Sequence, residues 1–372
     1  MTLRSMSLVR REFLQAGAVF ATAAMLPQMA KAAAFNPQPG AWRRFEIVTK
    51  LAIAEPQGNV QAWIPVPSVN EESWFRSLDN TWTTNAKSAV LVRDATTGAG
   101  LLHAEWGEEE RSPMVEVTSR VATRDRAVDF GSPGTAGPLS ESERVRYLAG
   151  TDAVPVDGIV KQTADKIIAG ATTDIEKARA IYEWIVANTF RDPKTRGCGS
   201  GDIVAMLKSG NLGGKCADLN ALLVGLARAS GVPARDVYGI RIAPSNFGYK
   251  SLGANSEVIT KAQHCRAEVY LAGYGWIAID PADVRKVVLE EPPGNLSLAD
   301  VKVADARKTL LGAWEGNWLA YNMGGEVALP GSSGPKLNFL MYPQAEAAGR
   351  RFDCLEPDSF KYTITSRELT AT

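Results

Sequence analysis

Two hydrophobic periods divide the chain. Residues 42–126 carry short runs in which apolar and polar positions alternate, such as Arg44-Phe45-Glu46-Ile47-Val48-Thr49-Lys50-Leu51 and Val115-Glu116-Val117-Thr118-Ser119-Arg120-Val121, separated by Gly, Pro and Asn clusters. A period of two with turn formers between runs is the pattern of half-buried strands. It predicts an antiparallel β domain of sandwich type over residues 33–128. Residues 129–157, rich in Gly, Ser and Pro, read as a linker or a strap across an interface. From residue 160 the period becomes helical and stays so to residue 230. The best-marked helix follows Cys216: Leu219, Leu222, Leu223, Leu226 and Ala227 recur at helical spacing, and Gly231-Val232-Pro233 stops the run.

Strand patterning then returns. Positions 265, 267, 269 and 271 are Cys, Ala, Val and Leu, an apolar face, so His264 is expected to point away from the core. The Ala272-Gly273-Tyr274-Gly275 segment reads as a hairpin connection, and the return strand from Trp276 to Asp280 buries Ile277 and Ile279. If the turn preserves face parity, Asp280 lies beside His264. Residues 298–306 have a helical pattern, and residues 336–343 and 360–365 are expected to be strands completing the sheet of a second domain over residues 158–372. The fold class is α+β, with a β-sandwich-like domain ahead of a mixed one.

The first 32 residues read as an address. Val9-Arg10-Arg11-Glu12-Phe13-Leu14-Gln15 has the form of a twin-arginine export signal, residues 16–26 are mildly apolar, and Ala30-Lys31-Ala32 suits cleavage before Ala33. The apolar stretch is far short of the roughly 20 residues that span a bilayer. The expected destination is the periplasm or the cell exterior, with no stable membrane insertion after cleavage. Removing residues 1–32 takes Arg4, Arg10, Arg11, Lys31 and Glu12 from 41 basic and 41 acidic residues, leaving a net charge of −3. That balance, without basic blocks, argues against a nucleic-acid partner.

The chemistry is carried by three residues in order. Cys216 stands where a helix begins, and there free N–H groups and the helix dipole favour a thiolate. The same N–H groups suit the oxyanion of an acyl-transfer intermediate. His264 opens one strand and Asp280 closes the next, the arrangement of a base and the group that orients it. Gly213 and Gly214 are expected to let a substrate approach the backbone. The second histidine, His103, reads as an ordinary strand residue. Tyr182, Trp184, Trp314, Trp318 and Tyr321 read as packing. Two histidines and four dispersed cysteines, with no C-x-x-C and no H-x-x-x-H spacing, offer no metal set, and no Gly-rich stretch has the context of a phosphate loop. The expected chemistry needs no metal and no cofactor. In an oxidising compartment two of Cys198, Cys265 and Cys354 could pair, and a Cys198–Cys265 bridge would tether the loop before the active-site helix to the histidine strand.

Six ordered elements carry a resemblance: the helix around residues 178–186, Arg196-Gly197, the short helix at residues 202–208, Gly214-Lys215-Cys216, Gly231-Val232-Pro233-Ala234-Arg235, and the His264 and Asp280 strands. Over roughly residues 160–285 the chain resembles the transglutaminase-like superfamily of papain-like fold. The resemblance implies a Cys216, His264, Asp280 triad and a cysteine enzyme performing acyl transfer on amide or peptide bonds, which the N-terminal segment would send out of the cytoplasm. Peptidase or amidase action is expected first, with amine transfer if the cleft excludes water. The substrate would be an extracytoplasmic protein or peptide, a cell-wall peptide among the candidates. The chain departs from the family pattern at Cys265-Arg266, where Ala-Trp is frequent. The competing reading is a non-catalytic exported binding or scaffold protein with a vestigial triad.

Overall fold

A computed structural model describes residues 34–356 and 358–370. The expected export signal lies outside the described residues. Seven α-helices occur among them: α1 (Glu141–Leu148), α2 (Gly158–Ile167), α3 (Asp174–Asn188), α4 (Ile203–Ser209), α5 (Cys216–Ala229), α6 (Pro281–Glu290) and α7 (Val301–Thr309).

The central helix α5 is buried on nearly every side, with only Arg228 half-buried. Its apolar face packs on an antiparallel sheet made of the strands Ala234–Arg241, Gln263–Leu271, Gly275–Ile279 and Trp318–Asn322. The helices α2, α3 and α6 cover its other sides. Cys265, Ala267, Val269 and Leu271 face this core, as the alternation predicts.

The opposite face of the sheet is not exposed, which corrects the expectation that His264 and its neighbours lie outside the core. His264, Arg266 and Glu268 are each at most 3 % exposed. The cover comes from the N-terminal β region, whose Phe45, Ile47, Trp74, Phe75 and Val121 pack with Val237, Ala278, Trp314 and Trp318. Charged side chains survive burial here because they are paired. Glu268 lies between Arg126 and Arg235, and Arg266 lies over the rings of Trp314 and Trp318.

The β region is two five-stranded sheets enclosing a core of Leu51, Val60, Ile64, Leu102, Trp106, Val115 and Val117, as a sandwich requires. The strand Arg43–Ala52 shows why its period is so regular: Phe45 and Ile47 face the histidine sheet while Leu51, on the same face, turns into the sandwich. The C-terminal tail departs from expectation. The strand Lys361–Leu369 pairs antiparallel with Arg43–Ala52, and Gln344–Ala347 pairs with Val60–Pro65, so both complete the sandwich instead of the histidine sheet. Leu337–Phe339 forms a small hairpin with Gly325–Val327. Alternation alone says that a segment is a strand; it does not say which edge is open to it.

Residues 129–157 form a strap. Helix α1 is closed by a capping box between Ser140 and Glu143. Ahead of it, Ala136 bridges to Gly273, the Tyr270 hydroxyl donates to Gly137 O and the Tyr274 hydroxyl to Phe130 O. The strap therefore clasps the turn of the hairpin that carries His264 and Asp280.

Candidate active site

Cys216 is the first residue of α5, 3 % exposed at the floor of a cavity of about 800 Å³. Its position is set by the loop before it. Asp218 accepts the N–H groups of Ser200 at 2.9 Å, Gly201 at 3.0 Å and Lys215 at 3.0 Å, holding two loops against the helix start. Gly199, at φ +100°, is required there: a Cβ would come within 1.9 Å of the Asp218 carboxylate. The glycines at 213 and 214 make close packing contacts and are not among the residues that line the cavity. A Cβ on Gly213 would collide with Phe190 and one on Gly214 with Asp218. The Ala217 N–H is taken by Cys198 O at 2.9 Å, whereas the Cys216 N–H donates to no group among the described residues.

His264 and Asp280 meet. Nε2 of His264 lies 2.8 Å from Oδ2 of Asp280, and both residues are buried. Asp280 performs two tasks at once. Its Oδ1 accepts the Asp283 N–H at 3.1 Å as the N-cap of α6, with Pro281 in the first turn, and accepts Asn220 Nδ2 at 3.2 Å. The turn-forming role of an Asp-Pro pair and the histidine contact thus belong to the same carboxylate. With Nε2 held by carboxylates, Nδ1 is the nitrogen left to face the thiol.

Several participants lie outside the sequence reading. Asp283 Oδ1 is 3.3 Å from His264 Nε2 and is also paired with buried Arg241. Asn220, one turn after Cys216 on α5, spans from Cys265 O to Asp280 and ties the helix to the histidine strand. Trp318 Nε1 donates to His264 O at 2.9 Å. Two signals in the chain could have found the first two: a polar residue inside an apolar helix, and a second aspartate three residues after the first, on the same helical face.

Cys198 and Cys265 both reach the Cys216 thiol, and all four cysteines are free thiols. The Cys198–Cys265 bridge does not form; Cys198 Sγ donates to Gln263 O at 3.4 Å. Hydrogen bonds from Cys198 and then Cys265 hold the Cys216 thiol well below the usual thiol range against the opposing effect of burial, and His264 adds a hydrogen bond and its charge. Cys198 and Cys265 are pushed up correspondingly. Cys198 is steadied by the Tyr342 hydroxyl, which donates to its sulfur at 3.1 Å.

Burial alone would lower the pKa of His264, but the charges of Asp283 and Asp280 outweigh burial and Arg241 and raise it to about 9. Burial and the neighbouring Asp283 raise Asp280, while Arg241 and His264 overcome burial to hold Asp283 well down. A thiol shifted down beside an imidazole shifted up favours the thiolate–imidazolium form of the pair. His264, Asp280 and Asp283 place ligand-type atoms within 4.8 Å of one another. Arg241 on Asp283 and Arg266, 3.9 Å from Asp280, already supply the positive charge, so a cation would meet two guanidinium groups there.

His103 is elsewhere, stacked on Trp63 and bonded to Gln61 in the sandwich. Tyr182 is buried with its hydroxyl on Arg307 O, Trp184 packs against the same core, and Trp314, Trp318 and Tyr321 fill the interface between the sheets.

Residues 161–281, which include Cys216, His264 and Asp280, match the sequence model of the transglutaminase-like superfamily. An uncharacterized protein of Haemophilus influenzae is 35% identical over 328 residues, 84% of this chain and 87% of the relative. The crystal structure of a candidate cysteine protease from Cytophaga hutchinsonii superimposes with a TM-score of 0.50 at 17% identity, covering 88% of this chain and 99% of that one. The periplasmic domain of TgpA from Pseudomonas aeruginosa covers 64% of this chain and 94% of that domain, at 14% identity and a TM-score of 0.32. The chain belongs to the transglutaminase-like superfamily, and its fold is shared across nearly the whole Cytophaga protein.

Proposed function

We propose that the protein is an exported cysteine-dependent acyl-transfer enzyme, acting on amide or peptide bonds through a thioester on Cys216. The observation that carries this reading is geometric: Cys216 at the start of α5 and His264, held by Asp280 at 2.8 Å, line one cavity. In the first half-reaction the Cys216 thiolate adds to the carbonyl carbon and the unclaimed Cys216 N–H receives the oxyanion. The C–N bond breaks as His264 gives its proton to the leaving amine, forming the thioester and a neutral imidazole. In the second, His264 takes a proton from the attacking water, the acid departs and the thiolate returns. A second amine in place of water gives cross-linking.

Asp280 holds Nε2 as the protonated nitrogen, with Asn220 and the Asp283 N–H fixing the carboxylate in turn. Water, at about 55 M, is the default acceptor, which favours hydrolysis unless the cleft excludes it. The Cytophaga protein described as a candidate cysteine protease is consistent with that preference. Export rests on the Arg10-Arg11 segment, and among the described residues no helix is long and apolar enough to cross a membrane.

The test is alkylation of the mature protein followed by mass mapping. Labelling of Cys216 at pH 6, far ahead of Cys198 and Cys265, is expected of this pair. Uniformly slow labelling of all three removes the enzyme reading and leaves a scaffold with a vestigial triad.

A further inference from the structure

The cavity over Cys216 carries a charge that thiol chemistry alone does not require. Resting on the proposed reaction, we infer that the acyl donor is an anion: an extended peptide or amide with free carboxylates flanking the bond that Cys216 attacks.

The lining holds Arg and Lys residues from six separate parts of the chain and, among the described residues, no Asp or Glu. Some of the basic residues are spoken for. Arg241 is paired with Asp283 and Arg196 with Asp353 at 3.0 Å. Others are not. Arg191 and Lys286 share one carboxylate, Glu290. Lys215 Nζ donates to Thr195 O, a neutral group. Lys261 and Lys361 are exposed and have no carboxylate within salt-bridge distance among the described residues. One uncompensated charge from the Arg191, Lys286, Glu290 group and one each from Lys215, Lys261 and Lys361 leave the cavity with four positive charges in excess.

Lys286 is a largely buried member of this set. Its side chain is 17 % exposed, and burial followed by repulsion from Arg241 brings its pKa down to about 8. A carboxylate in the cavity would oppose that repulsion and favour the charged amine. The distribution of the cations also bears on the ligand. A phosphate draws donors to one point, whereas here Arg191 precedes the thiol loop, Lys215 adjoins the thiol, Lys286 lies on α6, and Lys261 and Lys361 come from the histidine-strand loop and the C-terminal strand. Between them the wall is apolar, with Ile259, Leu355, Phe360 and Tyr362. Separated charges across an apolar wall match a carbon chain with spaced carboxylates. The C-terminal strand that joins the sandwich thereby supplies one side of the substrate cavity.

The thiol itself reports the field. Iodoacetate and iodoacetamide alkylate by the same displacement and differ by one negative charge. The ratio of their rates at Cys216, divided by the same ratio for glutathione, should be about ten or more at low salt, since even one of the four excess cations about 10 Å away in a protein surface medium contributes about that Coulomb effect. It should fall as salt is raised, and fall again in the Lys261→Gln, Lys361→Gln double variant. Labelling of Cys216 by both reagents at a ratio equal to that of glutathione overturns the anion inference while the thiol chemistry stands. Should neither reagent label Cys216, the proposed reaction fails, and the ligand is then judged on Cys216→Ala protein titrated calorimetrically with acetylated triglutamate and triglutamine amides. Preferential binding of triglutamate, weakened by salt, sustains an anionic ligand; equal binding rejects it.

Discussion

The replacement Asp280→Asn separates the electrostatic role of the carboxylate from its structural one. An asparagine can keep Oδ1 where Asp280 has it, capping α6 and accepting from Asn220. Its amide nitrogen must then occupy the position of Oδ2, 2.8 Å from His264 Nε2. An amide N–H cannot accept a proton from an imidazolium, so the ring is pushed towards the neutral form with its proton on Nδ1, facing the thiol. The lost interaction is a charge-assisted hydrogen bond, worth about 1.5 to 3 kcal/mol, or about one to two pKa units. His264 should therefore titrate between about 7 and 8 instead of about 9. Asp283 Oδ1, still 3.3 Å from Nε2, keeps the fall from being larger. Because the same energy stabilises the imidazolium of the reacting pair, turnover should drop about 10- to 150-fold. The chain offers a clean assay, since it has only two histidines. In a nitrogen-15 NMR titration of histidine-labelled protein, His264 should move and His103, lowered by burial in the sandwich, should not. An unmoved His264 in a folded variant would show that Asp280 does not hold the imidazolium.

Cys216→Ala, His264→Ala and the double variant should lose similar activity, because removing either member already disables the thiolate route; additive losses would separate the two residues. Their stabilities should differ, measured by thermal unfolding: Cys216→Ala remains close to the parent, whereas His264→Ala leaves Asp280 and Asp283 buried side by side and should cost about 3 to 5 kcal/mol. Activity against pH should be bell-shaped. The acid limb reflects Cys216, whose lowered pKa keeps the thiolate present well below the ordinary thiol range, and the alkaline limb falls near pH 9 as His264 loses the proton it must donate. Cys198→Ala removes the foremost hydrogen bond on the thiolate, so the pH at which Cys216 alkylates should rise; an unchanged profile assigns the shift to His264 instead. Exported material should begin near Ala33, and Arg10→Lys with Arg11→Lys should leave precursor in the cytoplasm, both checked by N-terminal sequencing of the fractionated cell.

What could be read from the chain was what local pattern controls. Leucines at helical spacing after Cys216, an alternating strand opened by His264 and a Gly-rich turn before the Asp280 strand are short-range signals, and hydrogen bonding between neighbouring strands brings histidine and aspartate together almost automatically. Long-range choices were not legible. Nothing in the period of residues 361–369 distinguishes an edge on the histidine sheet from one on Arg43–Ala52, more than 300 residues away in the chain. The burial of Arg266 and Glu268 was hidden for a related reason. A polar strand face reads as solvent-facing, and only the approach of Arg126 and the tryptophans, from elsewhere in the chain, makes a charged face compatible with an interior. Cys265 was misread in the opposite sense, as a partner for Cys198, because sequence order does not show that both sulfurs converge on a third.

The departure at Cys265-Arg266 can be understood from the two faces of one strand. Cys265 points inward to the Cys216 thiol, where a small polarisable donor can support a thiolate without occupying the substrate side. Arg266 points outward, stacks on Trp314 and Trp318 and donates to Glu315 O, so its cation lies 3.9 Å from Asp280 without leaving the interface with the β region. Phe45, Ile47 and Trp74 of the β region close that interface from the other side. A weakening of this packing would hydrate Arg266 and Asp280 and loosen the grip on His264, so the sandwich acts on the thiol through the back of the histidine sheet as well as through the cavity wall. Trp74→Ala tests this at a distance from the reacting atoms. It removes a fully buried ring that touches Trp314 and Trp318, at a cost of about 3 to 5 kcal/mol in stability. The alkaline limb of the activity profile should move below pH 9 in the variant that remains folded. A less stable protein with an unchanged limb would confine the β region to the cavity wall and the fold.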